Sequence, residues 1–316
     1  MARPLGPTAG LDPAAASGFN VAAMTITVLD TSAGMAAVLA APEADRPEAL
    51  REMLAPMAGM YRYFPGEVDL VTMHTTGSGF PWDRRSEDVR DALARLQAGD
   101  AWNRMESALA RALEVQTRAT PGIEVPDIAV LLVLGDPDDE YFMGSVRGLT
   151  GNGSVTGYLQ LTVWPTEENV ARLEAAVVHE LNHNLRYAAG GVGWNPATVV
   201  VGEQIVSEGL ADAFARQLYG DVGYTPIGRP HLRDDDVFDK VVSGLDVGGM
   251  RNFTAWVHGD DAARRFGAEP VGVPTGAGYA VGNRLLDAYL EATGRTAAAA
   301  LHVPSRDIID TALGRR

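Results

Sequence analysis

The chain has 316 residues, a formal net charge of −15, 46% hydrophobic residues and no cysteine. That length and composition fit one sizeable folded domain, or two lobes around a cleft, and exclude a disordered chain. The negative charge argues against nucleic acid or an anionic membrane as partner, and the missing cysteines exclude disulfides and thiolate metal sites. No run approaches the ~18 consecutive apolar residues of a transmembrane helix.

Residues 1–23 are rich in alanine, glycine and proline and lack the charged start and apolar core of a signal peptide. They read as a flexible leader, with 24–316 as a single domain and a cytoplasmic location as the default. Residues 25–29 alternate as a strand does. Residues 47–63 predict an amphipathic helix with Leu50, Met53, Leu54 and Met57 inward, kinked or ended by Pro56. A strand is expected at 68–73, then helices at 87–96 and 101–117. The β-rich run 128–134 predicts a central strand. Asp136-Pro137-Asp138-Asp139-Glu140 lacks the loop pattern of a calcium site and reads as a solvated turn. Residues 155–163 suit another strand. Thr166 is the expected N-cap of the next helix, with Glu167 and Glu168 at its positive end. Helices follow around Glu208 and at 237–245, 278–292 and 305–313. The expected fold is α+β: a mixed-sheet lobe over about 24–190 and a mostly helical lobe over about 191–316.

Where the two lobes meet lies Val177-Val178-His179-Glu180-Leu181-Asn182-His183. The H-E-x-x-H spacing stacks both histidines on one helix face, where both imidazoles reach one metal ion. Glu180 then sits beside that metal, able to take a proton from a water. Leu173, Ala176, Val177, Leu181 and Leu185 make the helix mostly apolar. Histidines embedded in such a segment need partners, and a metal partners both. Catalytic zinc takes three protein ligands as a rule. Arg186 and Ala189 stand where the metzincin pattern needs glycine and histidine, which excludes that class. Twenty-five positions beyond His183 comes Glu208, on a largely apolar helix, with Asp212 one turn later. Glu208 is the candidate third ligand, with Glu203 as fallback, and Asp212 the candidate orienter of a ligating histidine.

H-E-x-x-H followed by E-x-x-x-D on a second helix resembles the gluzincin class of metallopeptidases. V-V-H-E-L-N-H-N-L-R, then S-E-G-L-A-D-A-F, then G-Y-A-V-G resembles, more narrowly, the predicted zinc-dependent protease family of the bacterial YjaZ type, over roughly 123–290. The resemblance implies a gluzincin-like fold with the zinc site between the lobes and peptide-bond hydrolysis on a peptide or protein substrate.

The chemistry then assigns Zn²⁺ to His179, His183 and Glu208, and the general-base role to Glu180. A donor across the cleft is needed for the oxyanion. Tyr279, flanked by Gly278 and Gly282, is the first candidate, ahead of His231, His258 and Tyr224. By analogy with gluzincins, 155–163 is the sheet edge that pairs with substrate, or else a strand serving only the core. His74 and His302 read as structural or exposed, Asn182 and Asn184 as polar positions on the far helix face, and Arg186 as the partner of an acidic residue. A zinc protein without turnover and a hydrolase of non-peptide amides or esters are the competing readings.

Overall fold

The computed structural model describes residues 26–315. Its sheet has four strands, β1 (Ile26–Val28), β2 (Ile128–Leu134), β3 (Leu149–Asn152) and β4 (Tyr158–Val163), in the order β1-β2-β4-β3. β1, β2 and β4 run parallel, and β3 joins β4 antiparallel, with Leu149 opposite Val163 and Asn152 opposite Gln160. β2 is a near-continuous apolar run because it is interior and covered on both faces. No strand follows Val163 among the described residues, so the molecule is a mixed α/β protein with mostly helical content.

In the first half, α1 (Thr31–Ala40), α2 (Arg46–Leu54), α3 (Leu70–Thr76), α4 (Ser86–Ala98) and α5 (Ala101–Ala119) build up around β1 and β2. Pro56 does end α2, and the chain continues as a 3-10 helix to Tyr61. The strand expected at 68–73 is instead α3. Asp69 caps it by accepting from the backbone N–H and the hydroxyl of Thr72 at 3.0 and 2.7 Å, and Val71 and His74 face the core. That cap outweighs the β-branched composition. The acidic turn 136–140 is not simply solvated: Arg84 pairs with Asp136, Arg85 with Asp138 and Arg265 with Asp139.

β4, read as a possible cleft edge, is interior, flanked by β2 and β3. The edge is β3, whose Gly151 and neighbouring Gly153 disguise it as a turn. Thr166 caps a separate one-turn helix, α6 (Glu167–Val170), not the motif helix, which starts afresh as α7 (Leu173–Arg186). Next come α8 (Val201–Tyr219), α9 (Asp235–Val242), α10 (Asp260–Phe266), α11 (Ala277–Thr293) and α12 (Ser305–Ala312). α7 is sandwiched between the β3–β4 edge of the sheet and α8, with α5 alongside. α8 in turn packs closely on α11. A Cβ at Gly209 would overlap the backbone of Gly282, and one at Gly282 the carbonyl of Ile205, so glycine on both helices permits this approach. Residues 1–23, read as a leader, lie outside the described residues.

Candidate metal centre

Every residue of α7 from Val177 to Arg186 is buried, polar ones included. A helix so placed must partner each polar side chain internally. His179 and His183 turn their Nε2 atoms toward each other at 3.0 Å. Glu208, from the neighbouring α8, brings Oε2 to 3.2 Å from His179 Nε2 and 3.3 Å from His183 Nε2. The three atoms form a nearly equilateral triangle of lone pairs. Tetrahedral zinc, with bonds of about 2.0–2.2 Å, sets its ligand atoms about 3.3–3.6 Å apart, so the edges open by only a few tenths of an ångström to admit it.

The outer atoms of all three groups are held. His179 Nδ1 lies 3.0 Å from Asp212 Oδ1; a carboxylate only accepts, so Nδ1 carries the proton and Nε2 is the atom turned to the triangle. Asp212, 1% exposed, also accepts from the backbone N–H and hydroxyl of Thr225 and from Asn283 Nδ2. His183 Nδ1 meets Ser207 Oγ at 2.9 Å, and Gln204 Nε2 donates to Glu208 Oε1 at 2.7 Å. Burial opposes a charge on His179, but its bonds to Asp212 and Glu208 outweigh this and hold its pKa well above the ordinary value. Burial likewise pushes the Glu208 carboxyl up, and the two histidines outweigh it and hold it well below the usual carboxylate range. Without a cation these shifts favour a proton held between His179 and Glu208, and a metal would take the place of that proton.

Glu180 points from α7 toward β3. A side chain at Gly151 would overlap its carboxylate, and one at Gly153 its backbone carbonyl. These glycines are what bring strand and helix so close. Burial raises the Glu180 pKa, against the charges of His179 and His183. Asn184 is not on a far polar face: it is buried, and its side chain accepts from Gly157 N and reaches the carbonyls of Gly153, Val155 and Tyr158 at 2.9–3.1 Å. It ties the β3–β4 loop to the motif helix. Asn182 is buried too, and neither its nitrogen nor its oxygen has a hydrogen-bond partner.

Glu203, the fallback ligand, is engaged elsewhere. Arg186, fully buried, clamps it with Nε and Nη2 at 2.9 and 3.1 Å, and Tyr187 donates to it at 3.0 Å. Across from the triangle, the Tyr279 ring lies 6.4 Å from that of His179, and its hydroxyl 3.4 Å from His258 Nδ1. Burial, then the charges of Glu208, Glu180 and Asp212, push the Tyr279 pKa well up, so it stays a donor. Burial lowers the pKa of His258, which favours its neutral form. Gly278 packs against the Val257 backbone, holding this pair together. Tyr224 is diverted to Arg216, which donates to its hydroxyl and stacks on its ring, and His231 sits in the partly exposed turn Arg229–His231. His74 and His302 each bond a backbone carbonyl at 3.0 Å, and burial brings His74 down to about 4.

Sequence reasoning missed Ser207, Gln204, Thr225 and Asn283. Asn283, one helical turn after Tyr279, carried a readable signal; Thr225, brought in by a loop, carried none.

A buried His-His-Glu group on two adjacent helices, in a mixed α/β frame, marks a protein with a group positioned to bind a metal ion. The chain belongs to the family described as predicted Zn-dependent protease (DUF2268), whose model matches residues 101–310, from the first residue of α5 into α12. It is 28% identical over 231 residues to the uncharacterized protein YjfC of Bacillus subtilis (strain 168), covering 72% of this chain and 75% of that one. No solved structure matches the chain. The family description and the ligand group agree on zinc as the cofactor.

Proposed function

We propose that this chain is a zinc metallopeptidase with a gluzincin-like arrangement, the whole of 24–316 forming one domain whose two lobes flank the metal. The observation that carries the reading is the Nε2–Nε2–Oε2 triangle with Glu180 beside it. His179, His183 and Glu208 would hold the zinc, with Asp212 and Ser207 fixing the imidazoles. Bound zinc supplies a Lewis acid that activates water and polarises a scissile carbonyl.

Glu180, buried and raised in pKa, is suited to accept a proton from the attacking water and return it to the leaving amine. Tyr279, kept protonated, is the donor for the oxyanion, and neutral His258 stands behind its hydroxyl. The outer edge of β3 has no strand partner among the described residues, so a peptide backbone can add there as a further strand. Gly151 leaves no side chain over the Glu180 carboxylate at that edge. Peptide or protein is therefore the favoured substrate. No helix among the described residues is long and apolar enough to cross a membrane.

The test pairs metal analysis with a peptide library. Glu180→Gln is expected to retain stoichiometric zinc while cleavage falls by about 10²–10⁴-fold, the worth of a placed general base. Full activity in that variant sinks the mechanism. Zinc-loaded wild type that hydrolyses esters or non-peptide amides and no peptide replaces the substrate class; zinc with no turnover at all makes this a binding protein.

A further inference from the structure

The face of α7 that carries the cluster continues past His183. Tyr187 follows one turn later on that face, four residues beyond His183 and seven beyond Glu180. Trp194 meets its ring edge-on at 5.1 Å, and Phe253 meets Trp194 at 5.7 Å. From Phe253 the chain runs through the π-helical turn Thr254–His258 and so returns to the partner of Tyr279. Thr156, in the loop after β3, donates to the Tyr187 carbonyl at 3.2 Å. The aromatic ledge is thus joined to the metal centre through α7 on one side and the 254–258 turn on the other, and the chain that follows β3 is tied to it at Thr156. β3 has four residues, a span of about 10 Å, and the chain leaving it passes Glu180 at Gly153 and Asn184 at Gly153 and Val155 before it meets Tyr187 at Thr156, so the ledge lies in the direction in which β3 runs.

Two properties of the ledge point to its occupant. Its base is rigid: Tyr187 is bonded to Glu203, which Arg186 clamps, and Phe253 is buried. Its rim is open, with Trp194 37% and Met250 52% exposed, Met250 being joined to the same loop by a bond from its N–H to the Pro196 carbonyl. In addition, no charged residue occurs between Arg186 and Glu203, although most of 189–198 faces solvent and 21% of the chain is charged. An exposed stretch without charge, bearing an aromatic and a pliable methionine, suits an apolar partner.

We propose that Trp194, with Tyr187, Phe253 and Met250, forms a subsite that selects a bulky apolar side chain of the peptide, on the side of the scissile bond toward which β3 runs. The proposal rests on the peptidase reading of the metal centre. It makes the substrate class extended segments carrying aromatic or large aliphatic residues, the segments that folded proteins bury.

The test is binding, kept apart from turnover. Zinc-loaded Glu180→Gln is titrated with fluorescein-labelled peptides in which one phenylalanine is walked through a serine–glycine–alanine background. One phenylalanine position is expected to tighten binding about tenfold over serine there, the discrimination an apolar pocket gives. Adding Trp194→Ala should reduce that preference below about threefold with zinc content unchanged, and Met250→Ser, at an exposed position, should weaken it in the same direction. Preference that survives Trp194→Ala overturns the proposal, as does wild-type-like binding with no positional preference, or no peptide binding at all. If zinc-loaded wild type cleaves nothing while binding stays Trp194-dependent, the hydrolysis reading fails and the subsite stands. If cleavage is efficient and indifferent to Trp194→Ala, only the subsite fails.

Discussion

Two buried polar networks bridge α7 and α8 less than two helical turns apart, and they close in opposite ways. Around Arg186 the guanidinium meets Glu203 bidentately and the carbonyls of Leu301 and Val303, while Tyr187 donates to the same carboxylate. Donors and acceptors are matched and opposite charges cancel, so nothing further is required. Around His179 the outer atoms are equally well partnered, but the inner ones are three acceptors aimed at one point. That network is completed only by protons or a cation. A glutamate between these helices is therefore closed off at 203 and placed to hold a cation at 208 because of what faces it, not because of its burial, which is similar at both.

The largest effects should separate the two networks. Glu203→Ala strands the Arg186 charge in the interior, a loss of about 3–5 kcal/mol in denaturant unfolding. Protein that remains folded should still bind one zinc. Glu208→Ala should do the reverse, abolishing stoichiometric zinc measured by mass spectrometry while the metal-free fold loses less than the Glu203 variant. If Glu203→Ala empties the site and Glu208→Ala does not, the ligand assignment is inverted.

pH sharpens the same contrast. His179 is held above its ordinary pKa, so in the metal-free fold its stabilising contribution is full at acidic pH and fades as pH rises through the raised value. Glu208 is held below its ordinary pKa, so its contribution is full near neutrality and fades only as pH falls through the depressed value. Zinc must displace the His179 proton, so its affinity, and the rise in Tm that it causes, should grow from about pH 6 to about pH 8. A chelator competition series checks this; affinity flat across that range refutes the protonated, metal-free cluster. Asp212→Ala, which frees the His179 ring, should cost about 10–100-fold in zinc affinity at fixed pH.

Sequence spacing made the candidate ligands legible because helices are periodic: positions four apart share a face whatever the rest of the chain does. His179, His183, Glu208 and Asp212 follow that rule, and so does the apolar interior strand β2. What stayed hidden depends on neighbours distant in sequence. β3 looks like a turn because Gly151 within it and Gly153 just after it answer to Glu180, a close approach that no local window contains. Asn184 looks like surface because the loop it holds lies 26–31 residues earlier. α3 carries strand-like residues, but its Asp69 cap and its core face made it a helix.

Asn283 tests how far the orientation of the candidate metal ligands extends from the centre. Its amide donates to Asp212 Oδ2 at 2.7 Å and to the Tyr279 carbonyl at 2.9 Å, linking the helix that carries Tyr279 to the carboxylate that orients His179. Thr225 still gives Asp212 two donors when Asn283 is truncated. Asn283→Ala should accordingly weaken zinc by only about fivefold, the worth of one hydrogen bond of about 1 kcal/mol, against the larger loss for Asp212→Ala. If the two variants are equal in chelator competition, Asn283 rather than Thr225 holds Asp212 in place. If Asn283→Ala leaves zinc affinity untouched, orientation of His179 ends at Asp212 and the α11 contact serves packing alone.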